Sequence, residues 1–226
     1  MSSDLDRFLA NARGSAAAAH GRARVVRLDE LPAQTPAAEP WGLASLRGRL
    51  VELSARGATA TLTSAIELVA EAQLQGEPVA WIAPRSGTFY PPDVAENGVD
   101  LAALVVVRVV DAMTAARTAE RLLRSGAFGL VVLDLVPGTG SELAMPAQGR
   151  LVALAQTHDA AVVCLTEKPA DAASLGSLVS LRAEATRLRE PDHEDQTWSM
   201  TLRVLKDKRR GPGASRSVKR RSPAGL

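Results

Sequence analysis

The segment LVVLDLVPGTGSELA, residues 130–144, combines an acidic side chain with a glycine-rich turn. Asp134 follows four apolar residues, and Gly138 and Gly140 lie just beyond it. Glycines let a backbone approach a cofactor closely, and a carboxylate at the end of a strand can face a ribose or a magnesium ion. The segment is therefore a candidate cofactor loop, although a buried strand that ends at Asp134, followed by a turn at Pro137, is the better explanation.

The composition is that of an ordinary globular protein, with 226 residues of which 46% are hydrophobic, 23% charged and only 3% aromatic. This length fits one well-packed domain with short arms. So few aromatic residues argue against an RNA-binding surface that stacks bases. No apolar run is long enough to span a membrane, so we expect no membrane contact.

Cysteine and histidine usage argues against two kinds of site. Cys164 is the only cysteine, so an internal disulfide is impossible, and its apolar surroundings predict a small core residue in a cytoplasmic protein. The three histidines, His20, His158 and His193, have no neighbours at ligand spacing. We therefore expect neither a metal site nor a bound cofactor.

Charge is distributed unevenly along the chain. The net charge is +2, but residues 206–226 carry eight basic residues and one acidic residue, which leaves the remainder mildly acidic. This contrast predicts a basic, disordered tail over 206–226 that contributes weak, sequence-independent affinity for DNA or an acidic partner. Cutting the chain after Gly211 should then leave its melting almost unchanged. The candidate binding residues are Lys206, Lys208, Arg209, Arg210, Arg216, Lys219, Arg220 and Arg221.

The first 40 residues contain two segments of different character. Residues 1–25 predict a helical arm whose apolar stripe, Leu5, Phe8 and Leu9, is a candidate partner-binding surface. Residues 26–40 contain three prolines and several small residues, which predict a linker. A folded domain over 41–205 follows.

In that domain, apolar strands alternate with amphipathic helices. Strands are predicted at 48–54, 79–83, 104–110, 129–135 and 160–166, with helices at 61–75, 114–125 and 145–158. Strands that are apolar on both faces indicate a mostly parallel sheet covered by helices on two sides. The adjacent segments LVSLRAE and SMTLRVLK alternate in polarity and predict an antiparallel edge. The fold class is therefore a three-layer α/β domain.

The loop after the first strand is where such a domain would hold phosphates. A working phosphate loop needs glycines, a lysine for the phosphates and a serine or threonine for magnesium. The loop SARGATATLT, residues 54–63, has only Gly57 and no lysine, and Arg56 is its one cation. It lacks the groups that hold a nucleoside triphosphate.

The segment GRLVELSARGATATLTSAIELVAEAQLQGEPVAWI resembles the opening strand, phosphate loop and helix of the bacterial recombinase RecA. The resemblance continues through NGVDLAALVVVR, AERLLRSGAFGLVVLDLV, AVVCLTEK and WSMTLRVLKDKRRGPG, and covers most of residues 41–213. It implies a RecA-like core.

Departures from the RecA pattern concentrate at its chemistry. The resemblance places the two loop glycines at Ala55 and Ala60, the lysine at Thr61 and the magnesium-binding threonine at Leu62. The glutamate that activates water falls on Arg85, and Asp134 alone is retained as a vestige. The two DNA-binding loops, after Asp134 and after Lys168, are shortened. The resemblance therefore implies a RecA-like scaffold without hydrolysis.

That combination is similar to the ImuA family, the ATPase-deficient RecA-like components of mutagenesis cassettes. The likeness implies a non-catalytic adaptor in SOS-induced, DNA-damage-dependent translesion synthesis. Its expected partners are an ImuB-like relative of Y-family polymerases, RecA or a second copy of itself. Two alternatives remain: a cell-division inhibitor resembling SulA, and an S-adenosylmethionine-dependent enzyme, since the Asp134–Gly140 loop resembles the first motif of methyltransferases.

Overall fold

A computed structural model describes residues 41–85, 89–135, 143–189 and 197–221. They form one eight-stranded sheet in the order β3-β2-β4-β5-β1-β6-β7-β8. The first six strands in this order run parallel to one another. β7 runs antiparallel to β6, and β8 runs antiparallel to β7. The strands are β1 (Arg49–Ser54), β2 (Val79–Pro84), β3 (Leu104–Val109), β4 (Leu130–Asp134), β5 (Ala161–Thr166), β6 (Leu181–Arg189), β7 (Thr197–Asp207) and β8 (Ser215–Arg221).

Five α-helices connect or flank these strands within the described ranges. They are α1 (Leu43–Leu46), α2 (Thr61–Leu74), α3 (Pro91–Glu96), α4 (Ala112–Arg124) and α5 (Met145–Thr157). Local sequence accounts for several ends: the Asp111 carboxylate caps α4 by accepting from the backbone N–H of Thr114 at 2.6 Å. Gly76 follows α2 with a φ of +75°, a conformation that favours glycine. A short 3₁₀ turn, Leu101–Ala103, precedes β3.

The sheet separates two apolar clusters, as the alternation of strands and helices predicts. One cluster joins one side of the sheet to α1 and α2 and includes Leu43, Leu53, Leu68, Val69, Trp81 and Val132. The other joins the opposite side to α4 and α5 and includes Leu50, Ala119, Val131, Leu133, Leu151 and Cys164. The three-layer α/β fold class is confirmed, with a mostly parallel sheet.

The antiparallel edge is also confirmed, but it extends further than predicted. β7 continues past residue 205 to Asp207, and residues 215–221 return as β8 and pair with it. The prediction of a disordered tail over 206–226 is therefore wrong for residues 206–221. The cause is that Met200 and Leu202 of β7 supply the apolar half of the pairing, so a basic strand with little apolar character of its own can join the sheet.

The strand β3 differs from its prediction in burial. Its run of valines predicts a strand covered on both faces, yet Val105 and Val106 are 43% and 38% exposed. β3 pairs only with β2 and ends the sheet order, so its outer side meets no strand within the described part of the chain. Local hydrophobicity does not reveal whether a strand lies at the centre or the edge of a sheet.

Several predictions fall outside the described residues. These include the N-terminal arm with Leu5, Phe8 and Leu9, the linker over 26–40, and the glycine-rich turn with Gly138 and Gly140. Among the helices that are described, none has the length and apolar character needed to cross a membrane.

Candidate functional site

The loop between β1 and α2 is held against β6 by its own backbone. The N–H of Ala60 donates to the carbonyl of Ala185 at 2.9 Å, and the N–H of Arg187 donates to the carbonyl of Ala58 at 2.9 Å. An isolated bridge between Thr59 and Thr186 lies between these bonds. The loop thus continues the sheet briefly beside β6 before α2 begins.

Three successive backbone N–H groups of this loop have acceptors within the protein. Thr59 donates to the carbonyl of Gly57 at 2.8 Å, Ala60 donates to Ala185, and Thr61 donates to the hydroxyl of Thr59 at 3.1 Å. A phosphate loop works by directing such groups at the ligand. Here those donors contribute to the fold.

The side chain at the position that resembles the phosphate-binding lysine is buried. Thr61 is 5% exposed, and its hydroxyl lies 2.9 Å from that of Thr59. Ala55 and Ala60 are buried, while Leu62 packs partly buried against the α2-side cluster. Gly57 retains a positive φ of +81° and forms the turn. The four positions that the resemblance assigns to the phosphate loop therefore serve packing, while Gly57 forms the turn.

Asp134 occupies the end of β4, as predicted, and is 2% exposed. It lies between β2 and β5, beside Leu165 in the register. Arg85, which directly follows β2, is exposed and donates its backbone N–H to Val109. The parallel strands thus bring Asp134 and the start of the phosphate loop to the same edge of the sheet, as in any parallel α/β domain.

A buried carboxylate at this edge was missed by sequence reasoning. Glu52 of β1 is fully buried, and its two oxygens accept from the Thr166 hydroxyl at 2.8 Å and from the backbone N–H of Leu175 at 2.7 Å. The ammonium of Lys168 lies 3.3 Å from the carboxylate, and the guanidinium of Arg182 lies 3.9 Å away. A charged residue inside the apolar run RLVELS was the available signal.

The segment after β5 is fixed to the domain by this cluster. Arg182 donates to the carbonyl of Pro169 at 2.7 Å and to the carbonyl of Ala172, while Glu52 holds Leu175. Arg182 also donates to the Ser54 hydroxyl at 3.1 Å, which joins the segment to the end of β1. These contacts hold the segment close to the sheet.

The eight basic residues of the predicted tail do not form one surface. Arg216 lies on the α2 side of β8, with its guanidinium 3.5 Å from the Glu67 carboxylate. Lys208 donates to the carbonyl of Ser177 at 2.6 Å, and Arg209 and Arg210 lie in the turn after β7. Lys219 is exposed, and the side chains of Arg220 and Arg221 fall outside the described part. The pKa of Lys206 is lowered, first by burial and then by the nearby charge of Lys208.

Several exposed apolar side chains lie on and beside β3, on both faces of the strand. Val105 and Val106 lie on the strand, Leu101 precedes it, and Val110 and Met113 follow it, with exposures from 38% to 63%. Their position at the end of the sheet leaves both an apolar surface and a strand edge open to a partner.

Reactive thiol and metal chemistry find no support in the described ranges. Cys164 is buried, and burial raises the pKa of its thiol, an effect that the Glu52 carboxylate increases. Within those ranges, no group of three or more His, Cys, Asp or Glu residues is arranged to hold a metal ion.

Comparison with known proteins gives partial matches to RecA. The RecA protein of Cutibacterium acnes is 31% identical over 143 residues, which cover 59% of this chain and 41% of that protein. The RecA of Rhodococcus opacus is 35% identical over 127 residues, and that of a Nocardioides species is 40% identical over 91. No protein-family model matches. The chain spans less than half the length of these curated relatives, and it is related to RecA distantly and in part.

Proposed function

We propose that this chain is a non-catalytic, RecA-like adaptor that acts in DNA-damage-induced translesion synthesis through protein–protein contacts. In this proposal it is an ImuA-type component of an SOS-induced mutagenesis cassette in the cytoplasm. The observation that carries the loss of catalysis is the phosphate loop, in which Thr61 takes the place of the lysine and three successive N–H groups are bound by protein acceptors.

Binding a nucleoside triphosphate at this loop would carry two costs. The phosphates would have to displace the hydrogen bonds of Ala60 and Thr59, and no lysine would compensate the buried negative charge. The bonds between the loop and β6 would also have to break, which would separate residues 58–60 from residues 185–187. This reasoning favours a scaffold role over hydrolysis.

The surface that supports an adaptor role is the outer edge of β3. Exposed apolar side chains can mark interaction sites, and an open strand edge can accept a strand from a partner. Val105, Val106 and Val110 supply the apolar part and the β3 backbone supplies the edge. We propose that this edge contacts an ImuB-type polymerase relative, with RecA and a second copy of the chain as further partners. The N-terminal stripe of Leu5, Phe8 and Leu9 is proposed as a second contact.

The test is a double substitution, Val105→Lys with Val106→Lys, assayed for binding to a purified ImuB-type polymerase relative by isothermal titration calorimetry. Both side chains are well exposed, so the variant should melt close to the wild type while binding at least about tenfold more weakly. Leu188→Lys is the matched control, because Leu188 is 69% exposed on β6, five places from β3 in the sheet order.

Other outcomes would overturn the proposal. Equal binding by the wild type and the β3 variant would remove the edge from the contact. Wild-type protein that binds neither the polymerase relative nor RecA but blocks division when expressed in cells would favour the SulA-like alternative. A rise in melting temperature with S-adenosylmethionine would favour the enzyme alternative, because a ligand that binds the folded state stabilises it.

A further inference from the structure

The antiparallel end of the sheet has two unlike faces. On the α2 side, Ala185, Met200 and Leu202 are buried in the core cluster. On the opposite side, three cross-strand rows present side chains that are all exposed or half-buried. We call this surface the hydroxyl face; its rows are Glu184–Arg203–Ser215, Thr186–Thr201–Ser217 and Leu188–Ser199–Lys219.

Hydroxyls and cations dominate the hydroxyl face. Five of its nine side chains are serine or threonine, two are basic, and Glu184 is the one acid. Glu184 is paired with Arg203 at 2.9 Å, and the hydroxyls of Thr201 and Ser217 lie 3.4 Å apart across β7 and β8. Hydroxyl and guanidinium groups are the donors that proteins direct at phosphate oxygens.

Positive charge continues beyond the Glu184–Arg203–Ser215 row of this face. After the bulge between Arg182 and Ala183, Lys206 lies directly opposite Arg182 in the register. Like charges opposite each other destabilise a sheet, and the Glu52 carboxylate, 3.9 Å from Arg182, offsets part of this repulsion within the protein. Among the described residues Lys206 makes no hydrogen bond or ion pair. Burial lowers the pKa of its ammonium group, and the nearby charge of Lys208 lowers it further. Lys206 therefore adds positive charge beside the hydroxyl face, balanced in part by the Glu52 carboxylate.

We propose that the hydroxyl face binds the phosphate backbone of DNA, with duplex DNA as its ligand. The face carries no aromatic side chain, and Trp198 of β7 packs on the opposite side against the core. Without an aromatic platform, unpaired bases gain no stacking on this surface. A duplex presents a higher density of phosphates than a single strand, so charge complementarity favours the duplex.

This binding mode differs from that of a flexible basic tail in which every cation contributes alike. Lys219 and Arg216 both lie on β8, but Lys219 belongs to the hydroxyl face while Arg216 lies near Glu67 on the α2 side. Of these two cations on β8, we expect only Lys219 to contribute to DNA binding, together with Arg203 of β7. The proposal does not depend on the adaptor function, because it concerns the opposite end of the sheet from β3.

The test is fluorescence anisotropy of a labelled duplex and of the matching single strand, titrated with the full-length protein over a range of salt concentrations. Affinity varies with salt with a slope of about −0.9 per phosphate contact, so a rise from about 50 to about 200 mM weakens binding roughly 3.5-fold per contact. Arg203→Ser with Lys219→Ser removes two contacts. The same rise in salt should therefore weaken binding about tenfold less in this variant than in the wild type, and binding to the duplex at low salt should also be weaker.

Two control variants show whether the face or total charge is responsible. Arg216→Ser removes the same charge from β8, and Arg187→Ser removes an exposed cation from the α2 side of β6. Each should change the duplex affinity less than about twofold, with circular dichroism confirming that all variants fold. Thr201→Val with Ser217→Ala should weaken duplex binding with no change in salt slope.

Three results would overturn the proposal. The first is an equal effect of Arg216→Ser and Lys219→Ser, which would indicate a tail acting through net charge. The second is tighter binding to the single strand than to the duplex. The third is the absence of salt-dependent duplex binding by the wild type. The β3 experiment is independent: if the β3 variant still binds its partner normally, the proposal for the hydroxyl face still stands.

Discussion

The guanidinium of Arg49, at the start of β1, donates a hydrogen bond of 2.6 Å to the carboxylate of Asp207, at the end of β7. The two side chains are only 2% and 4% exposed. Arg49 also donates to the hydroxyl and the carbonyl of Ser180, just before β6. This one arginine therefore connects the parallel part of the sheet to its antiparallel end.

Loss of the Asp207 charge should destabilise the domain strongly. Asp207→Asn keeps the shape of the side chain but leaves the buried guanidinium of Arg49 without its counter-charge, and breaking a buried pair costs about 3–5 kcal/mol. Thermal unfolding followed by circular dichroism should show a melting temperature lower by roughly 10 °C. Asp159→Asn is the control, because Asp159 is 75% exposed beside Arg47 and should melt like the wild type. Equal melting of the two variants would contradict the assignment.

The same pair should make stability depend on acidity. Burial raises the pKa of Asp207, but hydrogen bonds from Arg49 and from the backbone of Arg209 outweigh it, so the pKa lies below its ordinary value. A carboxyl with a depressed pKa in the folded state stabilises the fold above its unfolded pKa, about 3.9, and loses that contribution as the pH falls through the folded value. Urea unfolding from neutral pH down to about pH 3 should therefore show a steeper loss of stability in the wild type than in Asp207→Asn. Parallel curves would show that Asp207 does not carry this dependence.

Glu52 should hold the segment after β5 in place. Glu52→Gln removes the charge that faces Lys168 and Arg182 and turns one acceptor into a donor against groups that are themselves donors. We expect destabilisation of about 3–5 kcal/mol, since a buried cation loses its partner. The Leu175 amide donates a hydrogen bond to Glu52, so its hydrogen exchange should accelerate more than exchange in β4 or β5.

The control for this substitution is Glu120→Gln, which breaks the pair between Glu120 and the half-exposed Arg150. A pair at the surface contributes little, so this variant should exchange like the wild type at Leu175. Acceleration that is uniform over the whole domain in Glu52→Gln would show global destabilisation without a local role for Glu52.

Restoring a lysine to the phosphate loop should not restore ATP hydrolysis. The wild type should release no phosphate from ATP and magnesium, and Thr61→Lys should behave alike, because Ala60 and Thr59 still donate their N–H groups within the protein. Ala60 has a φ of −121°, and replacing a loop glycine by alanine disfavours the positive φ values that such loops use. RecA assayed in parallel is the positive control. Hydrolysis by the wild type that Asp134→Ala abolishes would prove this wrong.

Sequence predicts well those parts of the fold in which the local pattern of apolar residues reflects their burial. The central strands β4 and β5 are apolar runs that end in a polar residue, and both are buried on both faces. β3 has the same kind of run but lies at the edge, because strand order depends on packing between distant segments. β8 lacks an apolar pattern and is stabilised by β7, which no local window shows. Glu52 finds its partners 114 and 123 residues away, so its role depended on the tertiary structure.

The pairing of β8 with β7 reverses the expected effect of shortening the chain. Ending it after Gly211 removes all of β8, whose seven residue pairs with β7 contribute roughly 0.2–1 kcal/mol each. At roughly 2–4 °C per kcal/mol, the melting temperature should fall by on the order of 10 °C. The cut also removes Arg216 from Glu67 and uncovers the backbone edge of β7, so the shortened protein should bind the dye ANS more strongly.

A second truncation, after Arg221, keeps the whole of β8 and serves as the matched control. It should melt like the full chain, because it leaves every pair between β7 and β8 in place. Differential scanning calorimetry of the three proteins at the same concentration decides the outcome. If both truncations melt at the temperature of the full chain, β8 contributes nothing to the fold and residues 215–221 act as a tail after all.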